Sequence, residues 1–276
     1  MEERVPMGTV LVTGANSGIG LHTALALAGR GYRCIGTVRS EEKAEVLGDA
    51  AREAGVDVEP VLLDVTDAER CEEVMEGLEL YGLVNNAGYT NAGAIEDIPD
   101  DAVRHQLETM TIAPMRLARL ALPAMREAGR GRIINVSSIY GRATTPLSGW
   151  YQASKHALEA ASDALRMEVA GDGVQVILVE PGGFRTGIWD DNAEAMERHS
   201  GSRYSSAYER ELQVTRLWNW IMGEPEQVAS VIVRALGSPM PRARYLVGMD
   251  AQVLAVADRF TPTPLKDFIT RLALGL

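Results

Sequence analysis

The chain has 276 residues, 46% of them hydrophobic, and a formal net charge of −11. That length and composition allow a sizeable core, in one large α/β domain or two small ones. The acidic balance argues against non-specific nucleic-acid binding and against anionic membrane surfaces, both of which need basic patches.

The opening MEERVPMGTVLVTG has two acids and no long apolar core before the first strand, so it does not read as a signal peptide. TVLVT (9–13) reads as a strand and GLHTALALAGRG (20–31) as a helix ending at Gly31. YRCIGTV (32–38) is a strand, EEKAEVLGDAAREAG (41–55) a helix, VEPVLLDV (58–65) a strand and AERCEEVMEGLE (68–79) a helix. GLVNNAG (82–88) is a short strand running into a turn, followed by a long helix from about Asp100 to Glu127. RIINVSS (132–138) is a strand, and the helix holding Tyr151 and Lys155 runs to about Val169. VQVILVEPG (174–182), PEQVASVIVRALG (225–237) and ARYLVG (243–248) close the series as strand, helix and strand.

Apolar strands alternating with helices predict a doubly wound α/β fold, a seven-stranded parallel sheet flanked by helices. No linker or internal repeat divides the chain, so 1–276 reads as one domain. Residues 183–224 form an insertion of the kind that serves as a lid or binding loop. The tail, 250–276, reads as a surface helix capping the sheet. No run of about 18 apolar residues occurs, so no membrane span is expected. Cys34 and Cys71 lack CxxC spacing and read as buried free thiols in a reducing, cytoplasmic setting.

TGANSGIG (13–20) joins the first strand to the first helix. Such a turn places backbone N–H groups and a helix N-terminus where a pyrophosphate can sit, with Gly14, Gly18 and Gly20 where the backbone turns tightly or approaches a ligand. A purely structural turn is the alternative. The second strand ends with Val38 and Arg39, where an acid would suit the ribose hydroxyls of NAD; the arginine fork suits a 2′-phosphate instead. NADP(H) is therefore expected over NAD(H), the alternative being a solvated Arg39. Asp64, in LLDVTD, either faces the adenine amino group or caps the helix that follows at 67. Tyr151 and Lys155 are four positions apart on one helix face. A nearby ammonium lowers a phenol's pKa, which suits either an acid/base device or an ordinary surface contact.

In order and spacing, TGANSGIG (13–20), LDV (63–65), NNAG (85–88), NVSS (135–138), YQASK (151–155) and PGGFRT (181–186) together resemble the short-chain dehydrogenase/reductases, in their single-domain branch. The resemblance covers most of residues 8–250. It implies a Rossmann-type sheet, a nicotinamide cofactor, and hydride transfer between the cofactor's C4 and a carbonyl or alcohol carbon. It matches Tyr151 to the family's acid/base, Lys155 to its partner and Ser138, thirteen residues earlier, to the serine that binds the substrate oxygen. It also implies a cofactor site of Gly14, Asn16, Ser17, Gly18, Ile19, Gly20, Arg39, Asp64 and Val65, with Asn86, Ala87 and Gly88 on the adenosine side. Tyr151 and Lys155 would meet the nicotinamide ribose, Pro181 and Gly182 would border the nicotinamide, and Thr186 would hold its carboxamide. ALPAMREAGRGRIINVSS (121–138) resembles members acting on steroids, retinoids and related lipids.

One position departs from the family. ETMTIAPMR (108–116) puts Met110 where an asparagine is usual, in a segment like ETNVFGPLR. In the family that residue's main-chain carbonyl holds a water linking the lysine to solvent. Either that relay survives, since a carbonyl needs no asparagine side chain, or methionine makes the helix more regular and slows proton exchange. His22, His105, His156 and His199 lack metal-ligand spacing and read as surface or packing residues, so no metal is expected. Asp190 and Asp191 read as solvated, and Trp218 and Trp220 as packing. Tyr140, Trp150, Phe184 and Trp189 lie close in sequence to the catalytic pieces and suggest a bulky, partly apolar small-molecule substrate. The expected protein is an NADP(H)-dependent carbonyl reductase or alcohol dehydrogenase, a homo-oligomer built on the helices near 100–128 and 151–169. The rival readings are a nucleotide-binding sensor or scaffold and a redox-neutral epimerase or eliminase.

Overall fold

In the computed structural model, which describes residues 7–187, 194–199, 201–218 and 222–276, seven strands form one all-parallel sheet. Trp189, Asp190, Asp191 and Trp220 lie outside the described residues. The strands are β1 (Thr9–Thr13), β2 (Arg33–Val38), β3 (Val58–Leu62), β4 (Leu80–Asn85), β5 (Gly131–Val136), β6 (Val174–Pro181) and β7 (Arg244–Val247). Their order across the sheet is β3-β2-β1-β4-β5-β6-β7. The chain winds outward from β1 to β3, then returns to the other side of β1 as β4. A doubly wound sheet opens a crevice at that reversal, outside the carboxyl ends of its strands.

The helices are α1 (Gly18–Gly29), α2 (Glu41–Glu53), α3 (Ala68–Met75), α4 (Asp100–Leu107), α5 (Ala113–Glu127), α6 (Gly149–Glu168), α7 (Ser205–Trp218), α8 (Pro225–Gly237), α9 (Met249–Phe260) and α10 (Thr263–Leu274), with a short helical turn at 194–198. Side chains alternate along a strand, so each strand feeds two cores. Val10 and Val12 join Leu27 of α1, Leu47 of α2 and Ile232 of α8 on one face. Leu11 joins Cys71 of α3 and Leu117 and Met125 of α5 on the other. Both cysteines are buried free thiols.

Four segments depart from the sequence reading. β3 stops at Leu62 because the next turn is built by Asp64, whose Oδ1 accepts from the Thr66 N–H at 2.9 Å and its hydroxyl at 2.7 Å. α3 stops at Met75, and Gly77 continues at φ 70°, a conformation glycine adopts without strain. The long helix is interrupted by a π turn, Glu108–Ile112, in which the Ala113 N–H bonds to the Glu108 carbonyl. The tail is two helices rather than one cap: α9 lies against β7 and the Ile139–Gly141 turn, while α10 packs on α7.

Candidate active site

The glycine turn after β1 is shaped by hydrogen bonds from β4. Thr13 Oγ1 accepts from the N–H groups of Asn86, at 3.0 Å, and Ala87, at 2.9 Å. The Asn86 side-chain amide donates back to the carbonyls of Thr13 and Gly14, at 3.0 and 3.2 Å. Gly14 and Gly18 have φ 66° and 51°. Gly20 is packed so closely that a methyl there would overlap the Gly14 carbonyl and the Asn86 amide. Ser17 stands at the N-cap of α1 but makes no cap bond, and the first turn carries no acid. α2 and α3 are closed by Ser40 and Asp67, whose side chains accept from Lys43 N and Arg70 N. The N-terminus of α1 thus keeps N–H groups free for an anionic ligand.

Asn16, Ser17, Gly18 and Ile19 line one side of a cleft at the β1/β4 reversal, facing Asn86, Ala87 and Gly88. Arg39, Asp64 and Val65 line its far end, and Thr186 closes over Gly18. Gly20 lies behind the turn. Asp64 does not cap α3; Asp67 does. Burial pushes the Asp64 carboxyl up, but the two Thr66 bonds and the Arg39 charge outweigh it and hold it below the usual carboxylate range. Lys43, Tyr89 and His105 are among the lining residues missed in the sequence. Lys43 sits beside Arg39, and its position in the first turn after β2 is the signal that could have found it. Tyr89 and His105 close the same end as a ring pair with centroids 5.7 Å apart. His105 is therefore a cleft residue, although its spacing suggested only surface or packing.

Ser138, Tyr151 and Lys155 converge past the ends of β5 and β6. Ser138 follows β5 and caps the Ile139–Gly141 turn, its Oγ accepting from Tyr140 N at 3.1 Å. Lys155 is 6% exposed; its Nζ donates to the carbonyl of Val136, the last residue of β5, at 2.9 Å and lies 5.8 Å from the centre of the Tyr151 ring. Burial pulls the Lys155 ammonium down to about 8, against an opposing pull from Glu159. Burial also pushes the Tyr151 phenol up, and its hydrogen bond with Ser138 only partly offsets this. The sequence expectation was a phenol lowered by the neighbouring ammonium; here desolvation wins. The Tyr151 hydroxyl is thus kept protonated.

A buried charge network fixes this corner. Glu180, fully buried, bonds Arg142 at 2.7 Å and Arg244 at 3.1 Å. Arg244 also reaches Glu159 at 3.1 Å and Asp163 at 2.6 Å. The network ties the loop after Ser138 to the end of β6, just before Pro181 and Gly182, and to the α6 helix of Tyr151 and Lys155. Its signal in the sequence is an acid inside the apolar run VQVILVEPG. Met110, 2% exposed, sits in the π turn with its side chain against Gly88 and with Ser154 Oγ 3.8 Å from its sulfur. The helix is irregular there despite the methionine, so of the two alternatives the regularised helix does not occur.

Ala92, Ala94, Leu147, Met196 and Tyr208 form a separate buried apolar cluster between the β4–α4 loop and the insertion. Tyr208 Oη accepts from Ala94 N at 2.6 Å and bonds Asp97 at 2.7 Å, pinning α7 over this region. Burial pushes the Tyr140 phenol up to about 12, and the Glu211 charge adds to it. Phe184, expected near substrate, instead joins the core shared with α8.

Fold and cleft together define a doubly wound α/β protein that presents a glycine turn and a bare helix N-terminus at its switch point. The chain belongs to the short-chain dehydrogenases: the family model described as short chain dehydrogenase matches residues 8–197. It is an oxidoreductase of that family. It is 36% identical to an uncharacterized oxidoreductase, YusZ, of Bacillus subtilis, over 86% of this chain and 88% of that one. It is 34% identical to human retinol dehydrogenase 5, over 94% and 86%. A crystal structure of a variant actinorhodin polyketide ketoreductase with NADPH superimposes with a TM-score of 0.77 at 29% identity, covering 90% of this chain and 97% of that one.

Proposed function

We propose that this chain is an NADP(H)-dependent carbonyl reductase acting on a bulky, partly apolar ketone, or the alcohol dehydrogenase of the reverse direction. The observation that carries the reading is the convergence of Ser138, hydrogen-bonded to the Tyr151 hydroxyl, and of Lys155, 5.8 Å from the centre of the Tyr151 ring. The free N–H groups of α1 and the close backbone of Gly14, Gly18 and Gly20 fit a pyrophosphate. Arg39, with Lys43 beside it, fits a 2′-phosphate. Asn16, Ser17, Ile19, Asp64, Val65, Asn86, Ala87 and Gly88 would hold the adenosine half. Pro181, Gly182 and Thr186, with the hydroxyl and ammonium of Tyr151 and Lys155, would hold the nicotinamide half. The NADPH bound to the similar ketoreductase supports the same choice. The bound cofactor supplies a hydride to the carbonyl carbon.

The chain's own part is positional and protonic. Ser138 Oγ donates to the carbonyl oxygen and fixes its place. The Tyr151 hydroxyl gives its proton to that oxygen as negative charge develops, so ketone, hydride and proton sum to the alcohol. Lys155, charged below about pH 8, stabilises the tyrosinate left behind. The similarity to a retinol dehydrogenase supports a bulky substrate.

The test is NADPH consumption against bulky and small ketones, beside Tyr151→Phe and with NADH in place of NADPH. The reading expects turnover with bulky ketones, NADPH preferred, and a loss of about 10²- to 10⁴-fold in the variant. Undiminished turnover in Tyr151→Phe overturns it. Tight NADPH binding with no ketone consumed favours a redox-neutral or sensing role.

A further inference from the structure

α9 and α10 carry an apolar seam that no other described residue covers. On α9, Met249, Val253, Val256 and Phe260 are 83%, 68%, 60% and 75% exposed. Their spacing is four, three, four, and at about 100° per residue they fall within an arc of about 60°. On α10, Leu265, Ile269 and Leu272 repeat the spacing, with Phe268 beside them, and all four are at least half exposed. The opposite sides hold the helices to the body: Ala251 of α9 is fully buried, and Leu274 of α10 joins the cluster under α7. Asp258 and Lys266, paired at 2.7 Å, clasp the two helices together.

We infer that this seam is a self-association surface, the α9–α10 pair of one copy packing on that of a second copy as a four-helix bundle. Three observations select that occupant. A narrow stripe at coiled-coil spacing meets another helix pair knobs-into-holes, whereas a face that lies on lipid is broad and rimmed with cations. The eight side chains amount to about 1,000 Å², above the ~300–600 Å² of an ordinary monomer's largest patch and enough for the ~800 Å² that each partner gives a stable interface. Charge agrees: Asp250, Asp258 and Asp267 balance Arg259, Lys266 and Arg271, so this segment is neutral in a chain of −11. Two copies meet there with the least mutual repulsion, and an anionic bilayer finds no excess of cations.

The experiment is sedimentation equilibrium of the full chain, with and without Val253→Glu plus Leu272→Glu. Both residues are exposed in the single copy, so the variant should still fold cooperatively, its thermal midpoint lower only by the stabilisation that association gave. The variant is expected at half the wild-type mass, with self-association weakened at least about 100-fold. Phe260→Ser plus Phe268→Ser, which adds no charge, is expected to halve the mass as well. A wild type that stays monomeric at about 100 µM overturns the inference, as does equal mass in wild type and both folded variants. Monomeric wild type floating with phosphatidylcholine vesicles assigns the seam to lipid and overturns it too.

Discussion

Replacing Lys155 with methionine is expected to stabilise the protein at neutral pH while removing its turnover. The ammonium is held at about 8 in the fold, against 10.5 when free. At about 1.4 kcal/mol per unit, keeping that proton in the folded chain at pH 7 costs about 3 kcal/mol. The folded value lies below the unfolded one, so the cost is complete below pH 8. It fades as pH rises through the window from 8 to 10.5, because the fold releases the proton first. Methionine keeps most of the stem and removes the charge. It also strips the Val136 carbonyl of its 2.9 Å partner, a loss of about 1 kcal/mol. The net gain is about 2 kcal/mol at pH 7, or about 4 °C or more in midpoint, shrinking to nearly nothing by about pH 9.5. Urea unfolding of both proteins at the two pH values measures it. A variant less stable than wild type at pH 7, or a gap that does not close at the higher pH, refutes the reasoning.

Arg39→Ala should raise KM for NADPH by about 10- to 100-fold, the worth of a charged hydrogen-bond pair, and leave KM for NADH unchanged; steady-state kinetics with both cofactors decides. Ser17→Ala should cost less than about 0.5 kcal/mol, since Ser17 makes no cap bond, whereas Asp67→Ala should cost about 1 kcal/mol; paired unfolding curves show the contrast. Glu180→Gln should cost about 3–5 kcal/mol by leaving Arg142 and Arg244 without their buried carboxylate, read as a fall in thermal midpoint. In the reductive direction kcat should fall as pH rises through about 8, when Lys155 loses its charge, and a profile flat to pH 10 counts against that role.

The sheet was legible because each buried parallel strand is a short apolar run closed by glycine or a turn, and β1 lies where TVLVT puts it. The cleft was legible because its residues are contiguous in TGANSGIG and NNAG. What escaped depends on contacts made across the chain. Nothing in ETMTI announces a π turn. His105 reached the cleft because α4 runs past the end of β3, a placement no local spacing encodes. The lowered phenol was a neighbour argument on one helix; the raised one comes from everything packed around it. The tail was read from one apolar turn, and only its fold shows which side of each helix is left bare.

The pairing of β1 with β4 carries a consequence for how the protein comes into being. Thr13 and the Asn86–Ala87 amides that grip it are 73 and 74 residues apart. Between them lie two full strand–helix excursions, and closing so long a loop is slow compared with forming any single helix. The ribosome has released TGANSGIG long before its other wall exists, so the early chain holds a flexible glycine segment with no pocket. Ligand affinity arrives only when the two halves of the sheet meet, in one step rather than by degrees. A cofactor present during synthesis can therefore trap the finished sheet but cannot guide its first half into shape.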